Sequence, residues 1–344
     1  MKAILLDEHG PSSNLRYDDI DAPEPAPHEV QVNLRAAALN RLDIWVRNGW
    51  PGIKLNYPHI PGADGAGIVS AVGRDVSTVG VGQHVAINPL INPDRLDPLF
   101  LAGKDNLSRH AGILGEDMRG TYAEYVCVPE WNVLPLPESV SFEEAAAASL
   151  VFLTAWHSLV TRGQIQPGET VLIIGAGGGA NTAYLQIAKM FRATVYVVGS
   201  NAEKCQKAAE LGADVTIDRS QEEWGKAVYK LTNKRGVDVV IDNVGQATWP
   251  SSLRSVTRGG RMLVVGNSSG YDIQIDSRYI FTRHITIIGS TMGAQTDFRT
   301  VMPLLFAGKL RAVIHDVMPL QDAAQAQDRL ESGDVFGKLV LAIP

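Results

Sequence analysis

The chain has 344 residues, 45% of them hydrophobic and 20% charged, the make-up of an ordinary water-soluble protein with room for two domains, each with its own core. A formal charge of −6 argues against a partner bound by neutralising nucleic-acid phosphates. The two cysteines, Cys127 and Cys205, lie far apart, so neither a disulfide framework nor a four-cysteine metal site is indicated.

The opening MKAILLDEHG reaches Asp7 and Glu8 too early for the apolar core of a signal peptide. Met1 to Leu6 and Glu29 to Ala38 read as strands, separated by the proline-rich connector Ala22 to Pro27. Gly62 to Gly73, Gln83 to Ile87 and Tyr122 to Pro129 continue the β pattern, and with no helices of length between them they predict a compact, partly barrel-like first domain. Asn88 to Gly120 has little periodicity, which at that length marks a functional lobe or the remnant of one. The uncharged stretch Ala145 to Thr161 includes Ser149, Thr154 and His157; it is too short and polar to span a bilayer and predicts a buried helix. No membrane association is expected, and the cytoplasm is the expected setting.

From Ser141 helices and strands alternate. Val171 to Ile174, Thr194 to Val198, Val215 to Ile217, Val237 to Ile241, Arg261 to Val265 and Ile285 to Ile288 predict a doubly wound parallel sheet of six strands, so the fold class is α/β. The tail predicts a short helix, a strand near Ala312 to Met318, another helix and a final strand at Lys338 to Ala342. The first of the six strands runs directly into Gly175-Ala176-Gly177-Gly178-Gly179-Ala180-Asn181 and then a helix. Glycines there let a diphosphate approach the backbone, with the free N–H groups of the helix start facing it. Two registers fit: Gly175, Gly177 and Ala180 as G-x-G-x-x-A, or a shifted pattern from Gly178 and Gly179 with Asn181 last.

Taken together, Asn40-Arg41-Leu42-Asp43, Pro61 to Val69 (PGADGAGIV), Gly120 to Tyr125 (GTYAEY), Phe152 to Trp156 (FLTAW), the glycine turn, Leu211 to Asp214, Gly236 to Asp242 and Phe336 to Leu341 (FGKLVL) resemble the medium-chain dehydrogenase/reductase family in order and spacing over essentially the whole chain. The resemblance implies a mostly β, GroES-like substrate domain from residues 1–151 and 295–344 and a Rossmann dinucleotide-binding domain from 152–294, with the active site in the cleft between them.

The positions matching the catalytic zinc ligands of the family's alcohol dehydrogenases read Asn40, Ala63 and Leu150. Alanine and leucine offer a metal nothing, so no catalytic zinc is expected. The four positions of the structural zinc fall at Asp94, Asp97, Phe100 and Ser108, which implies a lobe held by other packing. The branch most resembled is the zinc-independent, quinone-oxidoreductase-like one, and it implies NADPH-dependent reduction of a quinone or an α,β-unsaturated carbonyl. The alternatives are a zinc-free alcohol or aldehyde reductase and a non-catalytic NADPH-binding redox sensor. In the first reading Asn40 supplies an amide donor and Thr154 a hydroxyl near the nicotinamide, donors that lower the barrier as negative charge builds on the conjugated oxygen. Asp43 orients its neighbours or caps a turn.

Arg47 and Lys338 are candidates for the cofactor phosphates, the bland alternative being ordinary surface charge. Asn243, Gly266 and Asn267, at the carboxyl ends of parallel strands, are candidate cofactor neighbours. Trp45, Trp50, Tyr57 and Tyr122 are candidates to wall a flat substrate pocket or, equally, core aromatics. His59, His84 and His157 show no metal spacing and read as structural, and Cys127 and Cys205 as small apolar residues.

Residues 181–202 contain no Asp or Glu, so the carboxylate that accepts the adenosine ribose hydroxyls of NAD is missing where the second strand ends. That strand ends in Gly199-Ser200-Asn201, which is similar to the Gly-Ser-Arg of NADP-using relatives with Asn for Arg. Ser200, Lys204 and Arg219 are the candidates for a 2′-phosphate. Finally, the apolar strand Ile285 to Ser290 stands where the family pairs across a two-fold axis, which implies a homodimer.

Overall fold

The computed structural model describes all residues from Met1 to Pro344. The chain divides into two units, Met1–Leu153 with Ala294–Pro344 and Thr154–Gly293.

In the first unit the strand Glu29–Ala38 is the centre of a seven-stranded sheet. Its even positions Val30, Val32 and Leu34 are fully buried while the residues between them are half-exposed, the two-residue period of a strand with one face on a core. The order runs Ile314–Pro319, Lys338–Ala342, Glu29–Ala38, Asp64–Val72, His84–Ile87, Val133–Pro135, and Tyr125–Pro129 also pairs with Glu29–Ala38. The late strand Lys338–Ala342 thus lies beside an early one, with Val340 opposite Ala38. A separate hairpin, Lys2–Leu6 with Leu15–Asp19, packs Ile4 and Leu6 into the same core as Leu34, Ile60, Tyr122 and Leu341.

One expectation here is corrected. Between the strands lies a genuine helix, Arg41–Asn48, whose apolar period is interrupted by Asp43 and Arg47, both buried. The Asp43 carboxylate takes the Asn40 N–H at 2.7 Å, satisfying one of the donors a helix start leaves open, and Gly49 ends the helix in the left-handed region at φ +84°. The lobe 88–120 is not structureless either. Leu90–Ile91 pairs with Gly112–Ile113, and Asp97 caps the short helix Pro98–Leu101 through the Leu99 N–H at 2.7 Å.

The second unit is a six-stranded parallel sheet in the order Val215–Asp218, Thr194–Gly199, Thr170–Ile174, Val237–Asp242, Val256–Val264, Thr286–Gly289. Helices cover both faces, so the central strand buries Val171, Leu172 and Ile173 in succession. The order reverses at Thr170–Ile174, which makes its carboxyl end the switch point where open α/β sheets bind ligands. The helix Phe142–Trp156 continues as a π-helix, His157–Arg162. No helix is long and apolar enough to cross a membrane.

Candidate functional site

In the first unit three chain segments meet at a buried polar cluster. Asn40 precedes the helix Arg41–Asn48, Asp64 opens the strand Asp64–Val72, and Lys338 opens the last strand. The Lys338 ammonium donates to Asn40 Oδ1 at 2.6 Å and to Asp64 Oδ2 at 2.9 Å. Asn40 Nδ2 donates to the same Asp64 oxygen at 2.8 Å and to the Ala38 carbonyl at 3.4 Å. Asp64 is 0% and Lys338 4% exposed, so this is an ion pair out of water, completed by hydrogen bonds as such pairs must be. Asp64 Oδ1 takes the backbone N–H of Leu150 at 2.7 Å.

The cluster extends to Asp43, whose Oδ2 accepts from Tyr122 Oη at 2.7 Å. Burial pushes the Asp43 carboxyl up to about 6, against the pull of the Asn40 N–H, Tyr122 and Lys338. Tyr122 is fully buried, so it belongs to the core and does not wall a pocket. The Asn40 amide has both its oxygen and its nitrogen engaged by protein groups, which leaves it a member of the cluster rather than an open donor.

Arg47 is engaged within the first unit. Its guanidinium is buried and donates to the Gly10 carbonyl at 3.1 Å, Gln327 Oε1 at 2.9 Å and Glu331 Oε2 at 2.8 Å, joining the helix Arg41–Asn48 to the helix Ala323–Ser332. Neither Arg47 nor Lys338 offers a charge to solvent that a diphosphate would need.

In the second unit the glycine turn follows the strand Thr170–Ile174 directly. Gly175 has φ +102°, and a Cβ there would stand 2.8 Å from Asn181 Nδ2. Asn181 holds the turn by donating to the carbonyls of Ile174 at 3.0 Å and Gly175 at 2.7 Å, and its Oδ1 accepts from Asn243 Nδ2 at 2.8 Å. The helix Gly179–Met190 starts at Gly178 with no side-chain cap, so no side chain satisfies the N–H groups that a helix start leaves open. Ser268 N–H bonds the Asn243 carbonyl at 3.4 Å, and a Cβ on Gly266 would lie 3.1 Å from that same oxygen. The structure therefore brings Gly175, Gly177, Gly178, Gly179, Ala180, Asn243, Gly266 and Asn267 to the carboxyl ends of neighbouring strands. Thr154 is 7% exposed, and its Oγ1 is a buried hydroxyl without a hydrogen-bond partner. An uncapped glycine turn and an orphaned hydroxyl are features a nicotinamide dinucleotide would satisfy.

At the end of the second strand a Cβ on Gly199 would stand 2.4 Å from Cys205 Sγ, so this glycine answers to helix packing. Asn201 uses its side chain to cap the helix Ala202–Glu210 through the Lys204 N–H at 2.9 Å, and the Arg219 N–H reaches the Gly199 carbonyl at 3.0 Å. Ser200, Lys204 and Arg219 thus gather at one strand end. Reading for acids only within 181–202 missed Asp218, which pairs in register with Gly199 and accepts from Ser220 N–H at 2.9 Å and Oγ at 2.7 Å. Only the sheet order, which sets the third strand beside the second, reveals it.

The lobe positions are occupied by packing and short-range hydrogen bonds. Asp97 accepts from Ser108 and Asn92, Phe100 stands edge-on to Trp131 with ring centroids 6.3 Å apart, and Arg95 lies over the Trp131 ring. No group of three or more His, Cys, Asp or Glu side chains is arranged to hold a metal ion. Trp45 and Trp50 lie at 5.0 Å as a tilted, half-buried pair, and Tyr57 is exposed. His59 is buried with Nε2 2.9 Å from the Gly115 carbonyl, and burial pushes the Cys127 thiol up to about 12. A cavity of about 420 Å³ reaches His59 and Glu116 but none of the candidate site residues.

Family models give the comparison. The alcohol dehydrogenase GroES-like domain matches residues 26–138 and the zinc-binding dehydrogenase model residues 165–307. An NAD-dependent alcohol dehydrogenase of Sulfurisphaera tokodaii is 31% identical, covering 99% of this chain and 99% of that protein. This chain belongs to the medium-chain dehydrogenase/reductase superfamily. This dehydrogenase/reductase is also similar to solved structures of an NAD-dependent alcohol dehydrogenase (42% identical, TM-score 0.96, 100% of both chains) and of a quinone oxidoreductase of Pseudomonas syringae (32% identical, TM-score 0.85, 99% of both). It is an oxidoreductase with the nicotinamide cofactor of its family.

Proposed function

We propose that this dehydrogenase/reductase reduces quinones or α,β-unsaturated carbonyl compounds with NADPH and without a metal. The observation that carries the reading is the fate of the three catalytic zinc positions: Ala63 and Leu150 have no donor side chain, and the Asn40 oxygen accepts from Lys338. A conjugated acceptor is already electron-poor at the carbon attacked, so it asks less polarisation of the protein than an alcohol or aldehyde does. When bound, the reduced nicotinamide supplies the hydride. The chain would bind and orient it: the Gly175 N–H is spent on the Val198 carbonyl at 3.0 Å, so the backbone N–H groups of Gly177 to Ala180 would take the diphosphate, Asn243, Gly266 and Asn267 would frame the same strand ends, and the Thr154 hydroxyl would serve the nicotinamide. Asn40 and Asp43 act through the buried cluster they belong to.

For the 2′-phosphate the basis is Ser200 with Lys204 and Arg219. A second reading, NADH, is favoured by Asp218, a carboxylate opposite Gly199 that would repel a phosphate, and by the naming of two similar proteins as NAD-dependent. A homodimer is proposed from the strand Thr286–Gly289, which has a partner on one side only. Light scattering that finds only monomer at micromolar concentration would refute it.

Steady-state oxidation of NADPH and NADH with a panel of quinones, enones and aldehydes tests the activity. Turnover with quinones or enones supports the proposal. Turnover with aldehydes alone favours an alcohol or aldehyde reductase, and tight cofactor binding with no turnover favours a redox sensor.

A further inference from the structure

Asp64 gives its two oxygens separate tasks. Oδ2 takes Asn40 and Lys338, while Oδ1 takes the N–H of Leu150 at 2.7 Å. An N–H in the middle of the helix Phe142–Trp156 is normally aimed at the carbonyl four residues earlier, so a carboxylate at that distance enters the ladder, a recognised cause of local helix irregularity. Seven residues further the helix passes into π form at His157–Arg162, a widened geometry frequent at functional sites.

Thr154 lies between the two, four residues after Leu150 and so on the same helix face. Helical serines and threonines usually return their hydroxyl to the preceding turn. Ser149 does so to Ala145 and Ser158 to Thr154, at 3.0 and 2.8 Å. Thr154 does not, and its buried Oγ1 is left without a partner. A buried hydroxyl in that state is destabilising unless an external group completes it.

We propose that Asp64, paired with Lys338, is a positioning residue: by anchoring the Leu150 N–H it fixes the helix geometry that keeps Thr154 Oγ1 off its own helix and available to a bound nicotinamide. Lys338 then acts through Asp64 and not on a cofactor phosphate. The inference rests on the reading that Thr154 serves the nicotinamide, and the test separates the two.

NADPH affinity is measured by nucleotide fluorescence titration for the unmodified protein, Thr154→Val, Asp64→Asn and the double variant. Asn at 64 offers one oxygen, which Asn40 and Lys338 claim, so its NH2 faces the Leu150 N–H. Each single change is expected to weaken binding about tenfold, as the loss of one hydrogen bond does. The double variant is expected to lose no more than either single one, because both remove the same contact. Independent, multiplying losses would overturn the positioning role, whereas an unchanged affinity in Thr154→Val would overturn the reading of Thr154 itself. Amide hydrogen exchange supplies a second readout: Leu150 is expected to exchange faster in Asp64→Asn with the rest of its helix unchanged, and unaltered exchange there would overturn the anchor. If Asp64→Asn fails to fold, Asp64→Ala with Lys338→Met removes anchor and charge together and takes its place in the cycle.

Discussion

The Tyr122 hydroxyl and the Asn40 N–H converge on one oxygen, Asp43 Oδ2, each at 2.7 Å. Two donors on one atom hold a carboxylate in a place where burial opposes its charge and raises it to about 6. The folded protein therefore binds a proton here more readily than the unfolded chain does, so ionised Asp43 is a cost at pH 7 that is relieved as pH falls through about 6 towards the unfolded value near 4. Asp43→Asn keeps the shape and removes the titration. Relative to this variant, the unmodified protein is expected to gain about 1 kcal/mol between pH 7 and pH 5, measured by urea unfolding at the two values. A difference that does not move with pH would refute the buried ionisable Asp43.

Arg47 is expected to matter for stability and not for the cofactor. Its guanidinium ties two helices through Gln327 and Glu331, and Arg47→Ala removes those charged hydrogen bonds and the packing of the buried stem, at a cost of about 2 kcal/mol. Arg47→Ala should lower the thermal midpoint while NADPH affinity changes less than twofold. A large loss of affinity in a variant of unchanged stability would return Arg47 to the cofactor.

The cofactor preference is decided between Lys204 and Arg219 on one side and Asp218 on the other. One or two cations on a partly exposed phosphate contribute about 1.5 to 3 kcal/mol, or ten- to a hundredfold in affinity. NADPH is expected to be preferred by about that factor, and Lys204→Ala with Arg219→Ala to remove most of it while sparing NADH. Asp218→Asn should raise NADPH use further. Equal kcat/KM for the two nucleotides in the unmodified protein would refute the NADPH preference.

Purified protein is expected to contain no stoichiometric zinc, and chelator to leave activity unchanged. Two of the three catalytic ligand positions lack a donor side chain, and the third gives its oxygen to Lys338. One mole of zinc per chain by elemental analysis would overturn this.

The parallel sheet was legible because its strands are buried on both faces, and continuous runs such as Val171 to Ile174 carry the signal within one segment. The glycine turn was legible for the same reason, since a φ of +102° at Gly175 leaves its mark in residue type. What remained hidden depends on pairing between distant segments. Nothing local distinguishes Lys338 from a surface lysine, because its partners are 298 and 274 residues away. Asp64 sits in a glycine-rich strand start whose burial no periodicity announces, and Asp218 becomes relevant only once the third strand is laid beside the second. The helix Arg41–Asn48 was masked because two of its buried positions are charged.

The strand Lys338–Ala342 lies between Ile314–Pro319 and Glu29–Ala38, so the first unit's sheet cannot close until a strand made after the whole second unit has joined it. Until then Asp64 has no ammonium to meet it, and the early strands hold a carboxylate that burial disfavours. The six parallel strands from Thr170 to Gly289 have no such dependence, since all of them precede residues 338–342. The second unit is therefore free to fold as synthesis proceeds while the first, which precedes it, still lacks a strand that follows it.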